Sequence, residues 1–420
     1  MQFADSFLFP AHTSAIRCLA VSASASTPPR RMLASGGSDE CVNLYSIASD
    51  KPGRPSGKAA LPTLLPAAST STRNRELGRL AHHAGAVSAL VFPGRAKLLT
   101  AGMDNVLAVA RTSDWVVLSK LRAPIPRPTG RPAGDTAAAG EVPAGIAGIA
   151  VHPSAKLALT VGLGEKCMRL WNLVTGKKAG VLSFDRDVLA AVGEGRWRGG
   201  EGRSVAFAED GDEFVVGFER GAVVFALDCT VKGIARPSDP PTKVCQAKFL
   251  PKESCPGMKG NVLALATEDG RIVFFDSGST VGKDARGDAH DAKKESVERC
   301  RVLGSMGEIT KGNRIKDFEV LSLDVGGTQE TILVTGSSDG AVRVWQVHVK
   351  ALTAAATATH EASAAPELTQ SMGLLLALHD TARRITCLTA FVMDAHDGVE
   401  TNEDASGDAL DDSEFGGCDV

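Results

Sequence analysis

Three side chains that together can cleave esters or peptides occur near the start of this 420-residue chain, namely His12, Ser35 and Asp39. A histidine that takes the proton of a serine while a carboxylate orients it is the constellation of serine hydrolases. The spacing of Ser35 and Asp39 returns in two later pairs, Thr100 with Asp104 and Thr335 with Asp339. A set that recurs along a chain is typical of structural hydrogen bonds. The sequence therefore favours a structural tether over a catalytic triad.

These pairs lie in a repeated sequence motif. The motif consists of an apolar run, a tight turn carrying Asp, and a second run that ends in an aromatic residue. Its most complete copy is ETILVTGSSDGAVRVWQV, residues 330–347, with Asp339 in the turn and Trp345 near the end. Further copies occupy residues 31–47, 96–111, 147–176 (with Trp171) and 261–276 (with Asp269 in the turn). A repeat that cannot bury its own apolar face must stack against other copies.

Six complete units and a partial seventh, each of three or four short strands, predict an all-β fold, a seven-bladed β-propeller over residues 1–393. Loop insertions are predicted near residues 48–74, 122–144, 277–300 and 350–368. Phe3–Phe9 and Arg384–Met393 can each supply an outer strand to the seventh blade, which leaves two strands unaccounted for. Either the closing blade is incomplete at the N-terminus and exposes strand edges, or the chain lacks its true N-terminus.

An Asp in such a turn can accept hydrogen bonds from the turn's own N–H groups. An imidazole before the first strand can bond this Asp, and a hydroxyl and an aromatic side chain can extend the network across the blade. The predicted turn and tether residues are His12, Ser35, Asp39, Thr100, Asp104, Asp269, Thr335, Asp339, Trp171 and Trp345.

Composition narrows the class of protein. A hydrophobic content of 43% can form a large core, and no apolar run reaches the roughly 18 residues of a membrane span. The nine cysteines are scattered, which indicates reduced thiols in an intracellular protein. Residues 394–420 hold ten acidic residues and no Lys or Arg, so the remaining 46 basic and 39 acidic residues give about +7. A basic body with a disordered acidic tail fits an RNA-rich environment, although a solubilising tail is an equal alternative.

The sequence gives only weak signals for a phosphate-binding loop or a metal site. The glycine-rich segment GEGRWRG, residues 193–199, does not join a strand to a helix as a phosphate loop does. Two segments place His beside carboxylates, DAHD at 288–291 and DAHDG at 394–398, but neither has EF-hand spacing. No catalytic residue, metal or cofactor is predicted, and the protein is expected not to be an enzyme.

Two segments resemble the PAK-interacting proteins, a WD-repeat family that includes the fungal Mak-eleven protein. They are AHHAGAVSALVF at 81–92, and VHPSAKLAL with RLWNLVTGKKA within 151–179. The likeness runs from His12 to about Phe391 and implies a WD40 propeller. It also implies a nuclear, nucleolar scaffold for assembly of the large (60S) ribosomal subunit and pre-rRNA maturation. The expected partners are pre-60S particle proteins and assembly factors.

The same resemblance implies an alternative, in which the protein binds and restrains a PAK-type protein kinase. A ubiquitin-ligase adaptor is a third, generic alternative for a propeller. RNA is expected nearby but not read sequence-specifically, because aromatic residues are few and basic residues are dispersed. No membrane partner is expected. The predicted charged contacts with partners are Arg73, Arg75, Arg79, Lys177 and Lys178.

Overall fold

The computed structural model describes residues 11–22, 31–47, 75–124, 145–194, 200–237, 242–255, 257–258, 260–281, 298–307, 313–325, 328–357 and 371–392. Six antiparallel four-stranded sheets follow one another along these residues, and each begins with its innermost strand. We call the sheets blades 1 to 6 in chain order.

Blade 1 contains β1 (Ile16–Val21), β2 (Arg31–Gly37), β3 (Val42–Ile47) and β4 (Arg75–Leu80). Blade 2 contains β5 (Val87–Val91), β6 (Lys97–Gly102), β7 (Val106–Arg111) and β8 (Val117–Arg122). Blade 3 contains β9 (Ile146–Val151), β10 (Leu157–Gly162), β11 (Cys167–Asn172) and β12 (Lys177–Ser183).

Blade 4 contains β13 (Ser204–Phe207), β14 (Glu213–Gly217), β15 (Ala222–Ala226) and β16 (Val231–Ala235). Blade 5 contains β17 (Val244–Phe249), β18 (Val262–Thr267), β19 (Ile272–Val281) and β20 (Arg299–Met306). Blade 6 contains β21 (Ile315–Val325), β22 (Thr328–Ser337), β23 (Ala341–Val347) and β24 (Gly373–Asp380).

The first strands of successive blades contact one another in the order β1, β5, β9, β13, β17 and β21. Such a chain of contacts places the first strands around an axis, with the sheets radiating outwards. The predicted β-propeller is confirmed. Blades 4 and 5 are also joined at their outer strands by a parallel bridge between Ile234 and Arg299.

Burial along a strand depends on its position in the blade. Every residue of β14 and β18 is buried, because adjacent blades cover both faces of a middle strand. The outer strand β8 instead alternates half-buried and exposed residues. Apolar clusters fill each space between successive blades from 1 to 6. Middle strands therefore read as continuous apolar runs, and outer strands keep a polar alternation.

One close contact between blades 1 and 2 requires glycine. A Cβ atom on Gly36 would lie 2.6 Å from Cys18 Sγ and 2.7 Å from a methyl carbon of Val87. Those separations are too short for non-bonded atoms. The absence of a side chain at Gly36 thus lets β2 pack against the first strand of the next blade.

Two short helices lie between strands, one between blades 3 and 4 and one between β23 and β24 within blade 6. In α1 (Arg186–Val192), Asp185 is the N-cap residue and its side chain accepts a hydrogen bond from Asp187 N, while Gly193 ends the helix with a φ of 98°. Helix α2 (Val349–Thr357) buries Leu352 between blades 5 and 6. No helix among the described residues is long and apolar enough to cross a membrane.

The predicted insertions have different bounds in the structure. Arg122 ends β8, β19 continues to Val281, and β20 starts at Arg299, so strands occupy the margins of the predicted loops 122–144 and 277–300. The insertion near 350–368 contains most of α2, because a run of alanines has high helix propensity. The insertion at 48–74 and the tail at 394–420 lie outside the described residues.

The seventh position of the ring is held by residues 383–392. Within this segment, Thr386 Oγ1 donates to Ile16 O at 2.7 Å, and Leu388 N donates to Asp317 Oδ2 at 3.2 Å. Farther along, Arg31 donates to Val392 O at 3.0 Å. The segment therefore lies between β21 of blade 6 and β1 of blade 1.

The prediction that Arg384–Met393 forms an outer strand is wrong. Residues 384–392 are extended but belong to no strand, and they contact the inner strands of both neighbouring blades. Within the described part of the chain, their bonds run largely to side chains, and no ladder of backbone pairs forms there. Met393 and the other predicted closing strand, Phe3–Phe9, lie outside the described residues.

Candidate functional site

The structure brings His12, Ser35, Asp39 and Tyr45 into one hydrogen-bonded chain. His12 Nδ1 lies 3.0 Å from Asp39 Oδ1, and His12 Nε2 lies 2.7 Å from Ser35 Oγ, which is 3.3 Å from the Tyr45 hydroxyl. This is the arrangement of a catalytic triad, but Ser35 is only 2% exposed. A hydroxyl enclosed in this way is not accessible to the carbonyl group of a substrate. The chain of bonds ties the loop before β1 to β2, β3 and their turn.

Blade 2 repeats this tether with a second histidine in place of the aromatic residue. His83 Nδ1 lies 3.1 Å from Asp104 Oδ1, and its Nε2 lies 2.8 Å from Thr100 Oγ1. His82 Nε2 reaches the same hydroxyl at 2.7 Å. Ala110 stands where Tyr45 stands in blade 1, so His82 supplies the second partner of Thr100. The pair of adjacent histidines is the signal that could have identified this tether.

The turn carboxyls of blades 1 and 2, Asp39 and Asp104, are held ionised. Burial alone would raise the pKa of Asp39, but bonds from His12 and from Thr13 N outweigh it and lower that pKa. The pKa of Asp104 is lowered for the same reasons, with His83 and two backbone N–H groups opposing burial. Burial and the neighbouring His83 lower the pKa of His82 to about 4, so His82 is neutral at pH 7.

Arginine replaces histidine as the partner of the turn carboxylate in three other blades. Arg169 pairs with Glu165 in blade 3, Arg271 Nε bonds Asp269 at 3.0 Å in blade 5, and Arg343 Nη2 bonds Asp339 at 2.9 Å in blade 6. Arg169 and Arg343 lie on the strand that follows the turn, and Arg271 lies directly before that strand. A guanidinium offers a fork of donors to a carboxylate, so it holds the turn without a preceding histidine.

The hydroxyl–indole link occurs in blades 3 and 6. Trp171 Nε1 donates to Thr160 Oγ1 at 2.8 Å, and Trp345 Nε1 donates to Thr335 Oγ1 at 3.4 Å. The predicted turn and tether residues thus lie within their separate blades and do not converge on one site. Their arrangement can stabilise hairpins and assembles no common group of catalytic side chains.

The predicted partner-binding residues do not form a single patch. Arg75 and Arg79 lie on β4, whereas Lys177 and Lys178 lie on β12, two blades farther round the ring. Arg79 is partly engaged, with Nη2 at 3.8 Å from Asp39 Oδ2. The other three are exposed, and Arg73 lies outside the described residues. Their role in binding stays a prediction.

An inner cluster of charges joins blade 5 to the seventh position. Lys248 Nζ lies 2.8 Å from Glu319 Oε1 and 3.5 Å from Asp317 Oδ1, and the other oxygen of Asp317 accepts from Leu388 N. Burial would lower the pKa of Lys248, but the two carboxylates outweigh it and raise that pKa. Lys248 therefore keeps its positive charge and orients Asp317 towards the segment that follows blade 6.

The structure describes only a small part of the segments considered for ligands. Among the described residues, no group of three His, Cys, Asp or Glu side chains could hold a metal ion. Both His–carboxylate segments, 288–291 and 394–398, lie outside those residues. Within the glycine-rich segment, the buried Glu194 carboxylate accepts bonds from Gly200 N at 2.8 Å and Arg220 N at 3.0 Å. This carboxylate organises its own loop.

One exposed feature went unnoticed in the sequence. The outer strand β24, GLLLALHD, carries four exposed leucines, namely Leu374, Leu375, Leu376 and Leu378. Their signal was the run LLLAL, which the sequence does not distinguish from a buried strand. This strand lies beside a cavity between blades 5 and 6.

Comparison with known proteins identifies the repeats. Residues 5–46 and 311–346 match the family model described as WD domain, G-beta repeat. The chain is 24% identical over 387 residues to a p21-activated protein kinase-interacting protein 1-like protein of Danio rerio, which covers 92% of this chain and 73% of that protein. It is 25% identical over 372 residues to Protein MAK11 of Saccharomyces cerevisiae, with 83% and 71% covered.

A third relative is similar to this chain over a shorter stretch. Over 131 residues the chain is 37% identical to Shk1 kinase-binding protein 15 of Schizosaccharomyces pombe, covering 31% of this chain and 33% of that protein. The similarities to the first two relatives extend over most of the propeller, beyond the stretches that match the repeat model. The chain therefore contains WD repeats and is similar over most of its length to the p21-activated protein kinase-interacting protein 1-like protein and to MAK11.

Proposed function

We propose that this protein is a non-enzymatic scaffold that acts in assembly of the large (60S) ribosomal subunit and pre-rRNA maturation, in the nucleolus. The observation that carries the proposal is the similarity to MAK11 over 83% of the chain. The two segments that resemble the PAK-interacting proteins, 81–92 and 151–179, imply the same role. Pre-60S particle proteins and assembly factors are the proposed partners.

The form of the molecule supports a binding role. A propeller offers partners the rims of its blades and the loops at both ends, and repeated tethers hold those surfaces in place. The triad-like chain of bonds in blade 1 is enclosed, with Ser35 serving as a link to Tyr45. The charge of about +7 outside the acidic tail suits partners that carry RNA.

Purification of the tagged protein from nuclear extract tests the proposal. We expect it to co-sediment with precursors of the large subunit and their RNA, and nuclease treatment to release it. A Lys177→Glu, Lys178→Glu variant should associate more weakly, whereas Lys97→Glu, an exposed lysine on blade 2, serves as the matched control. Sedimentation of the tagged protein away from every precursor would refute the role.

A second function is favoured by the names of two relatives, a p21-activated protein kinase-interacting protein 1-like protein and Shk1 kinase-binding protein 15. In this alternative the chain binds a PAK-type protein kinase directly and restrains it. The purified protein should then lower the activity of the purified kinase, and the complex should survive nuclease. Nuclease sensitivity separates the two functions, because association with a precursor particle depends on its RNA.

A further inference from the structure

Bulge residues surround the propeller axis at the end where the inner strands begin. In β1, β5, β9, β17 and β21, pairing with the second strand is interrupted directly after the first residue. The extra residues are Arg17, Ser88, Ala147, Cys245 and Lys316. The side chain of Ser88 reaches the next inner strand and donates to Ile146 O. Thr386 donates to Ile16 O in the same way, so it holds the corresponding place in the segment that follows blade 6.

Two of these bulge residues are cationic, and they flank the segment at the seventh position. Lys316 lies before this segment on β21, and Arg17 lies after it on β1. Burial raises the pKa of the Cys245 thiol and the charge of Lys316 opposes it, so Lys316 lies close to the bulge of the preceding blade. A third cation, the exposed Arg384, precedes Thr386 by two residues. Within the described ranges of the chain, none of the three cations forms an ion pair.

Cations at the two preceding junctions do have partners. Lys243 stands directly before β17, and its Nζ lies 2.9 Å from Glu219 Oε1 in a turn of blade 4. Arg314 stands directly before β21, and its Nη2 lies 2.6 Å from Glu268 Oε1 in a turn of blade 5. At both junctions, the cation before an inner strand therefore pairs with a glutamate from the turn of the preceding blade.

The turn of blade 6 offers no such glutamate. In blade 5, Glu268 N donates to Lys243 O at 2.8 Å. In blade 6, Ser338 N donates to Arg314 O at 2.9 Å, so Ser338 holds the place of Glu268. A serine hydroxyl carries no charge with which to neutralise Arg384. The junction between blade 6 and the seventh position therefore keeps an excess of positive charge.

The two paired junctions indicate which anion suits the unpaired one. Each of them holds a carboxylate against its cation, and a guanidinium pairs with a carboxylate through parallel N–H donors. RNA fits this place less well, because neither the bulge residues nor Thr386 provide an aromatic ring on which a base can stack. The charges therefore favour an acidic protein segment.

We propose that Arg17, Lys316 and Arg384 bind an acidic segment of a partner protein. Its carboxylates take the place that a turn glutamate holds at the two preceding junctions. The inference rests on the proposed scaffold function only in taking the occupant to be a partner protein.

An acidic peptide tests this surface on the purified full chain. The probe is a fluorescent peptide of six glutamates between Gly-Ser flanks, and fluorescence anisotropy at low salt measures its binding. We expect Arg17→Ala with Arg384→Ala to weaken binding about tenfold, because two ion pairs are lost. Arg95→Ala with Lys97→Ala is the matched control, since it removes two exposed cations at the opposite end of blade 2.

Restoring the missing glutamate is a second test. Ser338→Glu supplies Arg384 with a carboxylate from within the chain, so it should compete with the peptide and weaken binding about threefold or more. Ser338→Gln is similar in size but neutral and should leave the affinity nearly unchanged. Weakening by the glutamine variant as great as that by the glutamate variant would contradict the role of charge.

Other outcomes would also decide the proposal. Equal binding by the wild type and by Arg17→Ala with Arg384→Ala would overturn the site. Tighter binding of a single-stranded RNA than of the peptide, lost in the same variant, would overturn the choice of occupant. Peptide binding that requires deletion of residues 394–420 would overturn it too, since the chain's own acidic tail would then be the occupant. Peptide binding by a protein that fails to associate with ribosomal precursors would refute only the ribosomal role.

Discussion

Replacement of Asp104 by alanine measures how much a tether stabilises its blade. Asp104 accepts bonds from His83 Nδ1 at 3.1 Å, Ala84 N at 3.0 Å and Val106 N at 3.1 Å. The buried His83 loses a charged partner that water cannot replace, whereas the N–H of exposed Ala84 can bond water. A hydrogen bond to a charged group contributes about 1.5–3 kcal/mol. We therefore expect Asp104→Ala to destabilise blade 2 by roughly 2 kcal/mol.

Amide hydrogen exchange in β6 and β7 is the appropriate assay, because it reports the opening of one blade. A loss of about 2 kcal/mol corresponds to exchange roughly thirtyfold faster at pH 7. Asp114→Ala is the control, since Asp114 pairs with Arg111 on the surface and both side chains are largely exposed. Its effect should stay within about 0.5 kcal/mol, or roughly twofold.

The stability that Asp104 contributes depends on pH in a direction set by the pKa of its carboxyl. The pKa of Asp104 in the fold lies below its ordinary value, which is about 3.9 in an unfolded chain. The stability it contributes is therefore present above about pH 4 and is lost as the pH falls through the lowered pKa. The difference between wild type and Asp104→Ala should be constant from pH 7 to 5 and shrink below pH 4. Equal exchange in the two proteins at pH 7 would contradict this account of the tether.

Two other predictions compare matched positions by urea denaturation. Trp171→Phe removes an indole–threonine hydrogen bond of 2.8 Å and should lower the free energy of unfolding by about 1 kcal/mol. Trp345→Phe removes a bond of 3.4 Å and should lower it by less. A larger loss in Trp345→Phe than in Trp171→Phe would contradict this assignment. Gly36→Ala places a methyl group within 2.7 Å of two side chains and should destabilise by about 1–3 kcal/mol, while Gly94→Ala, where nothing lies within 4 Å, should be nearly neutral.

Local patterns account for most of what the sequence predicted. The apolar runs and the turn Asp lie within a few residues of each other, so each hairpin of blades 1 to 6 could be recognised from its own segment. The N-cap Asp185 and the C-terminal Gly193 of α1 were equally local signals, but the short helix between two strand-rich repeats was overlooked. Its boundary residues were sufficient to predict it.

Features that depend on distant parts of the chain could not be predicted from local sequence patterns. Whether a leucine-rich strand is buried depends on what packs against it, so β24 could not be distinguished from a middle strand. Residues 384–392 have the composition of a strand, yet Asp317 and Ile16 set their position from blades 6 and 1. In blade 2, the role of His82 became evident only where its ring meets Thr100 beside Ala110.

The segment at the seventh position also bears on how the ring forms. Its bonds from Thr386 to Ile16 and from Arg31 to Val392 join residues 370 and 361 positions apart. Contacts so distant in sequence form late in folding, because the intervening chain must first be ordered. During synthesis, blades 1 to 6 can assemble in turn while the first and last remain unconnected. Closure then waits for residues 383–392, and a chain halted before them would remain an open arc with the inner strands β1 and β21 uncovered.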